Sequence, residues 1–380
     1  MNRKEEKIFQ YLDSISKKEK DLIFCVIGAG NGGLAMAGHL AFKGFHVRLV
    51  NRTDEKLNAV RWHGGIVLNG EVKGFGKIEL ATSVFHDGVK DADVIMVCTP
   101  ATAHEDIAKK IAPYLKEGQI VVLNPGRTFG ALEFLNIIRK KGNKNKVIIC
   151  ETQTFIYASR AISQFEVNIF RIKNSVPLAT IPAFWIPSVL KVINIAFSQF
   201  IAGDNVLATS FENIGAVFHP AITVMNAGWI EATHGDFDYY LEGVTPAVAK
   251  VLEEIDRERI AVASALGIRV LSAREWLYLT YDSSGSNLYE AIKNTLSYKG
   301  IKAPSSIMHR YIWEDVPMSL VPICSVGEMF GLNLKSIRQI ISLASIMHKT
   351  DYWKKGRTVE RLNISGLSVK QIRRLTIDGF

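Results

Sequence analysis

A chain of 380 residues is long enough for two domains with substantial cores. Its 48% hydrophobic and 22% charged content excludes a disordered chain. The formal charge of +9 comes from scattered basic residues, with no Arg-rich helix or RNA-binding signature, so a nucleic-acid partner is not expected. Residues 1–20 read as a solvated lead-in helix with Ile8, Tyr11, Leu12 and Ile15 on one face, its role opaque from sequence. This N-terminal segment is too charged for a secretory signal, and a cytoplasmic enzyme is the expectation. Cys25, Cys98, Cys150 and Cys324 show no CxxC or zinc spacing, which points to packing and to no metal site.

Residues 21–52 organise the rest. An apolar run over 22–27 reads as a buried strand and passes straight into Gly28-Ala29-Gly30-Asn31-Gly32-Gly33. A helical segment follows, then a second apolar run over 46–50, the layout of a βαβ dinucleotide-binding unit. Gly28 permits the tight turn, Gly30 lets backbone approach a pyrophosphate, and Gly33 lets the helix pack on the strand. The helix starting near Asn31 aims free N–H groups at the phosphates.

The second strand ends in Asn51-Arg52-Thr53, where the ribose would sit. An acid here would accept from a 2′-hydroxyl, whereas an arginine accommodates a 2′-phosphate. NADP(H) is therefore the preferred cofactor, with NAD(H) the alternative. Arg52 is the expected phosphate clamp, and Asn51 and Thr53 the neutral donors.

Further on, residues 64–80 suggest a hairpin and the third strand. The strand over 93–98 ends at Thr99-Pro100, which should lie by the nicotinamide ribose. A helix over 104–115, a strand over 119–123, another helix and a strand over 146–150 complete an expected six-stranded domain. The apolar stretch 175–202 carries three prolines and Lys191, and reads as a strand and a buried helix rather than a membrane span. From 185 the periodicity is mostly helical. An amphipathic helix is expected over 244–265, ended by Gly267, with others near 211–227, 287–297, 315–330, 335–347 and after Ser368. Asp256 and Arg257 fall on that helix's polar face and are left out of the site. The fold class is thus α/β, a doubly wound parallel sheet over 21–184, followed by an all-α substrate domain over 185–380 that supplies side chains to a cleft facing the cofactor.

Two helical stretches carry chemistry: 211–220, containing Phe218-His219-Pro220, and 306–317, containing Arg310, Glu314 and Asp315. With GAGNGG, NPGRTFGALEF, ETQTFIYASR, ENIGAVFHP, YYLEGVTPAV, EEIDRERIAVASALG, RYIWEDVP and a later GRT, the sequence resembles the opine dehydrogenases, the octopine and nopaline dehydrogenase family. The resemblance implies reductive condensation of a 2-oxo acid with the amino group of an amino acid. It also implies that His219 acts with Asp315, and that Arg310 contacts the amino-acid substrate.

The residues argue in the same direction. An amino acid carries an ammonium at neutral pH, so a base must take a proton before the nitrogen attacks a keto carbon. Histidine suits that task, and Asp315 would hold its tautomer and stabilise the imidazolium. Arg310 would grip a carboxylate with two parallel hydrogen bonds. Thr154, with Gln153 beside it, is the candidate for holding the keto acid, and Arg127 is a second cation whose role stays open. The plain readings are that Asp315 caps a helix and that Arg310 pairs with Glu314 one turn on. Expected partners are small-molecule substrates, with no membrane. Oligomeric state is open, a homodimer included. The competing functions are a ketopantoate-type or simple 2-oxo-acid reductase and a non-catalytic NADP(H)-binding sensor.

Overall fold

The computed structural model describes residues 3–379. Its strands are β1 (Ile23–Ile27), β2 (His46–Val50), β3 (Gly65–Gly70), β4 (Gly74–Lys77), β5 (Leu80–Thr82), β6 (Val94–Val97), β7 (Ile120–Leu123), β8 (Ile148–Thr152), β9 (Tyr157–Ala161), β10 (Glu166–Ile172), β11 (Val176–Ile181) and β12 (Phe200–Ala202). By contacts the chain divides into two compact units. The first takes the chain up to Gly126, Gly130–Thr209 and everything from Arg374; the second takes Arg127–Phe129 and Ser210–Arg373.

In the first unit an eight-stranded sheet runs β12-β11-β8-β7-β6-β1-β2-β5. Strands β6, β7 and β8 line up parallel on one side of β1, while β2 and β5 do so on the other. The order therefore reverses between β1 and β6, the place where such sheets bind ligands beyond the carboxyl ends of their strands. The near-continuous apolar runs fit strands covered on both faces: β6 and β7 are buried at every residue.

Two strands more than the expected six are present. β11 pairs antiparallel with β8, and β12 adds parallel to β11, so the unit continues past 184 to Thr209. The hairpin over 64–80 exists as β3 and β4, but it does not supply the strand beside β2; β5 does. The hairpin joins β10 and β9 in a separate four-stranded sheet. Glycine allows that sheet to lie on the helix Asn31–Phe42, since a Cβ on Gly76 would stand 2.2 Å from the Gly38 carbonyl oxygen.

The lead-in segment is not merely solvated. Its helix Arg3–Ile15 buries Ile8, Leu12 and Ile15 to 1% exposure each, in the same core as β1. Each such burial contributes about 2 kcal/mol, enough to hold three turns of helix down. Phe9 packs on Trp185 with ring centroids 4.4 Å apart, and Lys18 Nζ reaches Asp93 at 2.8 Å. A short π-helical turn, Arg374–Asp378, returns to this unit and packs beside Ala183–Trp185.

The second unit is helical. Thr245 caps the helix Pro246–Ala265 by accepting from Val248 N, and Gly267, at φ +70°, turns the chain away. The helix Ala273–Tyr281, closed by a Ser272/Glu275 capping box, was not expected from periodicity. Around these pack Gly215–Met225, Ala227–Thr233, Leu288–Asn294, Arg310–Trp313, Val321–Met329 and Lys335–Met347. Among the described residues no helix is long and apolar enough to cross a membrane.

Candidate active site

At the end of β1 the glycines do distinct mechanical work. Gly28 turns at φ +116°, where a Cβ would sit 2.7 Å from the Cys98 carbonyl oxygen. A Cβ on Gly33 would fall 1.7 Å from the Gly28 carbonyl oxygen, so this is where helix and strand meet. Gly30 has nothing within 4 Å of that position, leaving backbone open to an incoming group. The first-turn N–H groups of Asn31–Phe42 have no acceptors inside the helix and point to the same place. Thr99 Oγ1, just after β6, is buried without a hydrogen-bond partner among the described residues. Open backbone, a helix N-terminus and an orphaned hydroxyl at the sheet's switch point fit the pyrophosphate and ribose of a dinucleotide. Pro100 follows, exposed.

Two expected cofactor residues have their side chains committed elsewhere. Asn51 Oδ1 accepts from Ala29 N at 3.2 Å, and its Nδ2 donates to Thr53 O and Thr53 Oγ1 at 2.9 and 3.0 Å, so Asn51 shapes the loop itself. Asn31 Oδ1 accepts from Ala161 N at 3.0 Å, and Gly32 lies under the Phe155 ring. Arg52 is exposed and, among the described residues, makes no hydrogen bond or ion pair, whereas the next acid, Asp54, is held by Arg61 at 2.6 Å. Beyond β8, Thr154 Oγ1 accepts from Lys173 Nζ at 2.7 Å, and Gln153 N donates to Pro177 O at 3.0 Å. Lys173 gave no signal in the sequence.

The second unit builds a buried charge cluster. His219 lies in Gly215–Met225, and its Nδ1 is 2.9 Å from Asp315 Oδ2. Tyr311 stacks on the imidazole at 4.1 Å and 20°, while the His219 carbonyl accepts from Tyr239 and Thr223 hydroxyls. Asp315 is fully buried and occupies the N-cap position of the π-helical turn Val316–Leu320, but its side chain makes no capping hydrogen bond there. Such turns are a local irregularity often found at functional sites. Arg127 Nη1 stands 3.0 Å from Asp315 Oδ1 and 3.3 Å from Asn213 Oδ1. Its Nε reaches Glu314 Oε1 at 3.5 Å. Burial alone would lower the Arg127 pKa, but Asp315 and Glu314 outweigh it and raise the value. Arg310, 45% exposed, gives Nε and Nη2 to Glu314 Oε2 at 2.8 and 2.6 Å, so the pairing with Glu314 is realised. His309 sits edge-on to Tyr311, its pKa lowered by burial and then by Arg310.

One expectation fails here. Asp256 does not face solvent: it is 6% exposed, and its Oδ1 accepts from Arg259 Nη2 at 2.6 Å and Nε at 3.0 Å while Oδ2 accepts from Ala273 N. Arg259, fully buried, also donates to the carbonyls of Phe211 and Leu271. The pair is a strut that anchors the segment leading to His219. Helical periodicity counted Asp256 as polar and therefore outward, but a paired buried ion breaks that rule. Arg257 does lie outside, paired with Glu254.

A glycine-loop nucleotide sheet in one unit and a histidine paired with a buried carboxylate in the other define a nicotinamide-dependent oxidoreductase. Residues 202–348 match the family described as NAD/NADP octopine/nopaline dehydrogenase, alpha-helical domain, and residues 24–161 match ketopantoate reductase PanE/ApbA. Opine dehydrogenase from Arthrobacter sp. (strain 1C) is 38% identical over 351 residues, covering 92% of this chain and 97% of its own length. The chain belongs to the opine dehydrogenase family, NAD(P)-dependent oxidoreductases acting on CH–NH donors. The fold is shared with a solved octopine dehydrogenase carrying NADH and L-arginine, at a TM-score of 0.77, 21% identity and coverage of 92% and 97% of the two chains. Yersinopine dehydrogenase bound to NADP+ follows at 0.70, 13% identity and coverage of 93% and 99%.

Proposed function

We propose that this protein is an NADP(H)-preferring opine dehydrogenase that condenses the amino group of an amino acid with a 2-oxo acid, reduces the product, and runs the reverse oxidation. The observation that carries the reading is the 2.9 Å pairing of His219 with a buried carboxylate, next to two guanidinium groups. Because Asp315 Oδ2 accepts from Nδ1–H, the lone pair is on Nε2, the atom free to act as base. Nε2 takes a proton from the substrate ammonium, and the neutral amine adds to the keto carbon. The same nitrogen returns the proton as the carbinolamine oxygen leaves as water. The bound nicotinamide supplies or accepts hydride at the carbon of the C–N bond. Asp315 stabilises the imidazolium between the two proton transfers. Arg310, with Nε and Nη2 taken by Glu314, keeps Nη1 for a substrate carboxylate. Thr154 and Gln153 hold the keto acid. For the cofactor, the unpaired Arg52 after β2 and the absence of a free acid there support a 2′-phosphate contact. Gly28, Gly30, Gly32, Gly33, Thr53, Thr99 and Pro100, with the backbone of Asn31 and the loop that Asn51 shapes, complete the proposed cofactor site.

NADPH oxidation with 2-oxo acids, with and without a panel of amino acids, and mass identification of the product test this. Turnover indifferent to the amino acid would replace the reading with a simple 2-oxo-acid reductase, which the match of residues 24–161 to ketopantoate reductase keeps in view.

A further inference from the structure

We infer that Arg127 is a positioning residue for the His219–Asp315 pair, fixing the carboxylate's orientation and cancelling its excess charge beside the imidazole. The inference rests on the reading of His219 as the base.

The geometry divides Asp315 between two partners of different kind: Oδ1 lies 3.0 Å from Arg127 Nη1 as an ion pair without hydrogen-bond alignment, and Oδ2 faces His219 Nδ1 at 2.9 Å. A rotation of the carboxylate would break both contacts. Arg127 takes a left-handed backbone, φ +60°, and so does Phe129, at +59°. Non-glycine residues rarely sit there unless their surroundings over-determine the conformation. Here they do. Phe129 N donates to Ser210 Oγ at 2.9 Å, the Phe129 ring meets Phe211 edge-on, and Arg357 Nη1 donates to Thr128 O at 3.0 Å. Gly215 leaves the room: a Cβ there would come within 3.1 Å of His219 Cε1 and 3.2 Å of Arg127 Nη1. A strained turn, a buried guanidinium and a glycine notch thus converge on one carboxylate oxygen.

Charge gives the same answer. Arg310 and Arg127 balance Glu314 and Asp315, so the surroundings of the imidazole are close to neutral. The other titratable groups facing it are Tyr311, His309 beyond Tyr311, and Tyr239 at its carbonyl, with the Asp256–Arg259 strut on the neighbouring helix self-cancelling. Removing the Arg127 cation would leave one negative charge in excess and favour the imidazolium.

The test compares Arg127→Gln, Arg127→Lys and the parent by the NMR titration of His219 Cε1, with kcat and KM over pH. Arg127→Gln should move the imidazole titration and the acid limb of kcat upward by about one pH unit and lower kcat about tenfold or more. Arg127→Lys keeps the charge but loses the planar fork, so kcat should fall with the titration unmoved. An unmoved titration and unchanged kcat in Arg127→Gln would overturn the inference. So would a rise confined to the KM of the 2-oxo acid, which would make Arg127 a substrate ligand. If Arg127→Gln does not fold, Arg127→Lys decides: wild-type kcat overturns, a reduced kcat with unmoved titration supports. The NMR titration needs no turnover, so failure of the opine reading and failure of this inference are separable.

Discussion

The glycine loop and the charge cluster are two ways of building a site. The first is made almost wholly of backbone: close approaches at Gly28 and Gly33, an open face at Gly30, a helix N-terminus. The second is made of side chains from positions 127, 213, 219, 310, 314 and 315, in which the buried Glu314 and Asp315 are matched by Arg127, Arg310 and His219. Their histidines differ in kind as well. His39, behind the loop, meets Tyr157 and lies near Lys43, with its pKa pushed down to about 4 by burial and then by Lys43; His219 meets a carboxylate. A backbone site tolerates most side-chain changes and fails on shape, whereas a side-chain site fails on the loss of any single charge.

The largest effect expected is that of Asp315→Asn, which keeps shape but loses the charge and the tautomer-holding acceptor. It should lower kcat by roughly 10³–10⁴-fold with cofactor dissociation constant unchanged. Equal weakening of cofactor binding, measured by fluorescence titration, would mean the two sites are not separable in this way. Next, Arg259→Met strands Asp256 in the interior and should cost about 3–5 kcal/mol in urea unfolding. A cost below about 1 kcal/mol would show that the strut is dispensable. Third is acid stability. Since the folded His39 pKa, about 4, lies below its ordinary 6.5, the unfolded chain binds the proton first as pH falls. Stability from this group is intact above pH 6.5 and declines between 6.5 and 4, by up to about 3 kcal/mol. His39→Gln should flatten that window in unfolding curves taken across pH; an unchanged slope would exclude His39 as its source. The smallest effect is Arg52→Ala, expected to weaken NADPH about tenfold and NADH less than twofold. Equal loss for both would remove the phosphate clamp.

The same contrast explains what was legible beforehand. Gly28, Gly30 and Gly33 announce themselves because a backbone site is local in sequence, with strand, turn and helix in one continuous run. His219 and Asp315 stood out through motifs, and their pairing is now seen as a contact. Arg127 was visible as a residue but not as a partner, because its reach into the cluster depends on two left-handed residues that no periodicity encodes. Asp256 was misplaced for the converse reason: a 3.6-residue period sorts residues by polarity and cannot see a buried ion pair coming from the same helix. Strand β11 falls where the stretch 175–202 was read as a strand, whereas β12 falls in the part read as a buried helix, because an apolar run of three residues carries no decisive period. The lead-in helix had its apolar face identified, but nothing in it names the helix Ile186–Ile193 against which that face packs.

Arg374–Asp378 belongs with the nucleotide-binding unit, so the chain leaves that unit twice, for Arg127–Phe129 and for Ser210–Arg373, and returns to it each time. During synthesis the first unit therefore remains short of one piece of its surface until the whole helical segment has emerged. Assembly cannot proceed as a simple relay from one finished domain to the next. A chain halted at residue 373 would lack the turn that packs beside Ala183–Trp185 in that unit.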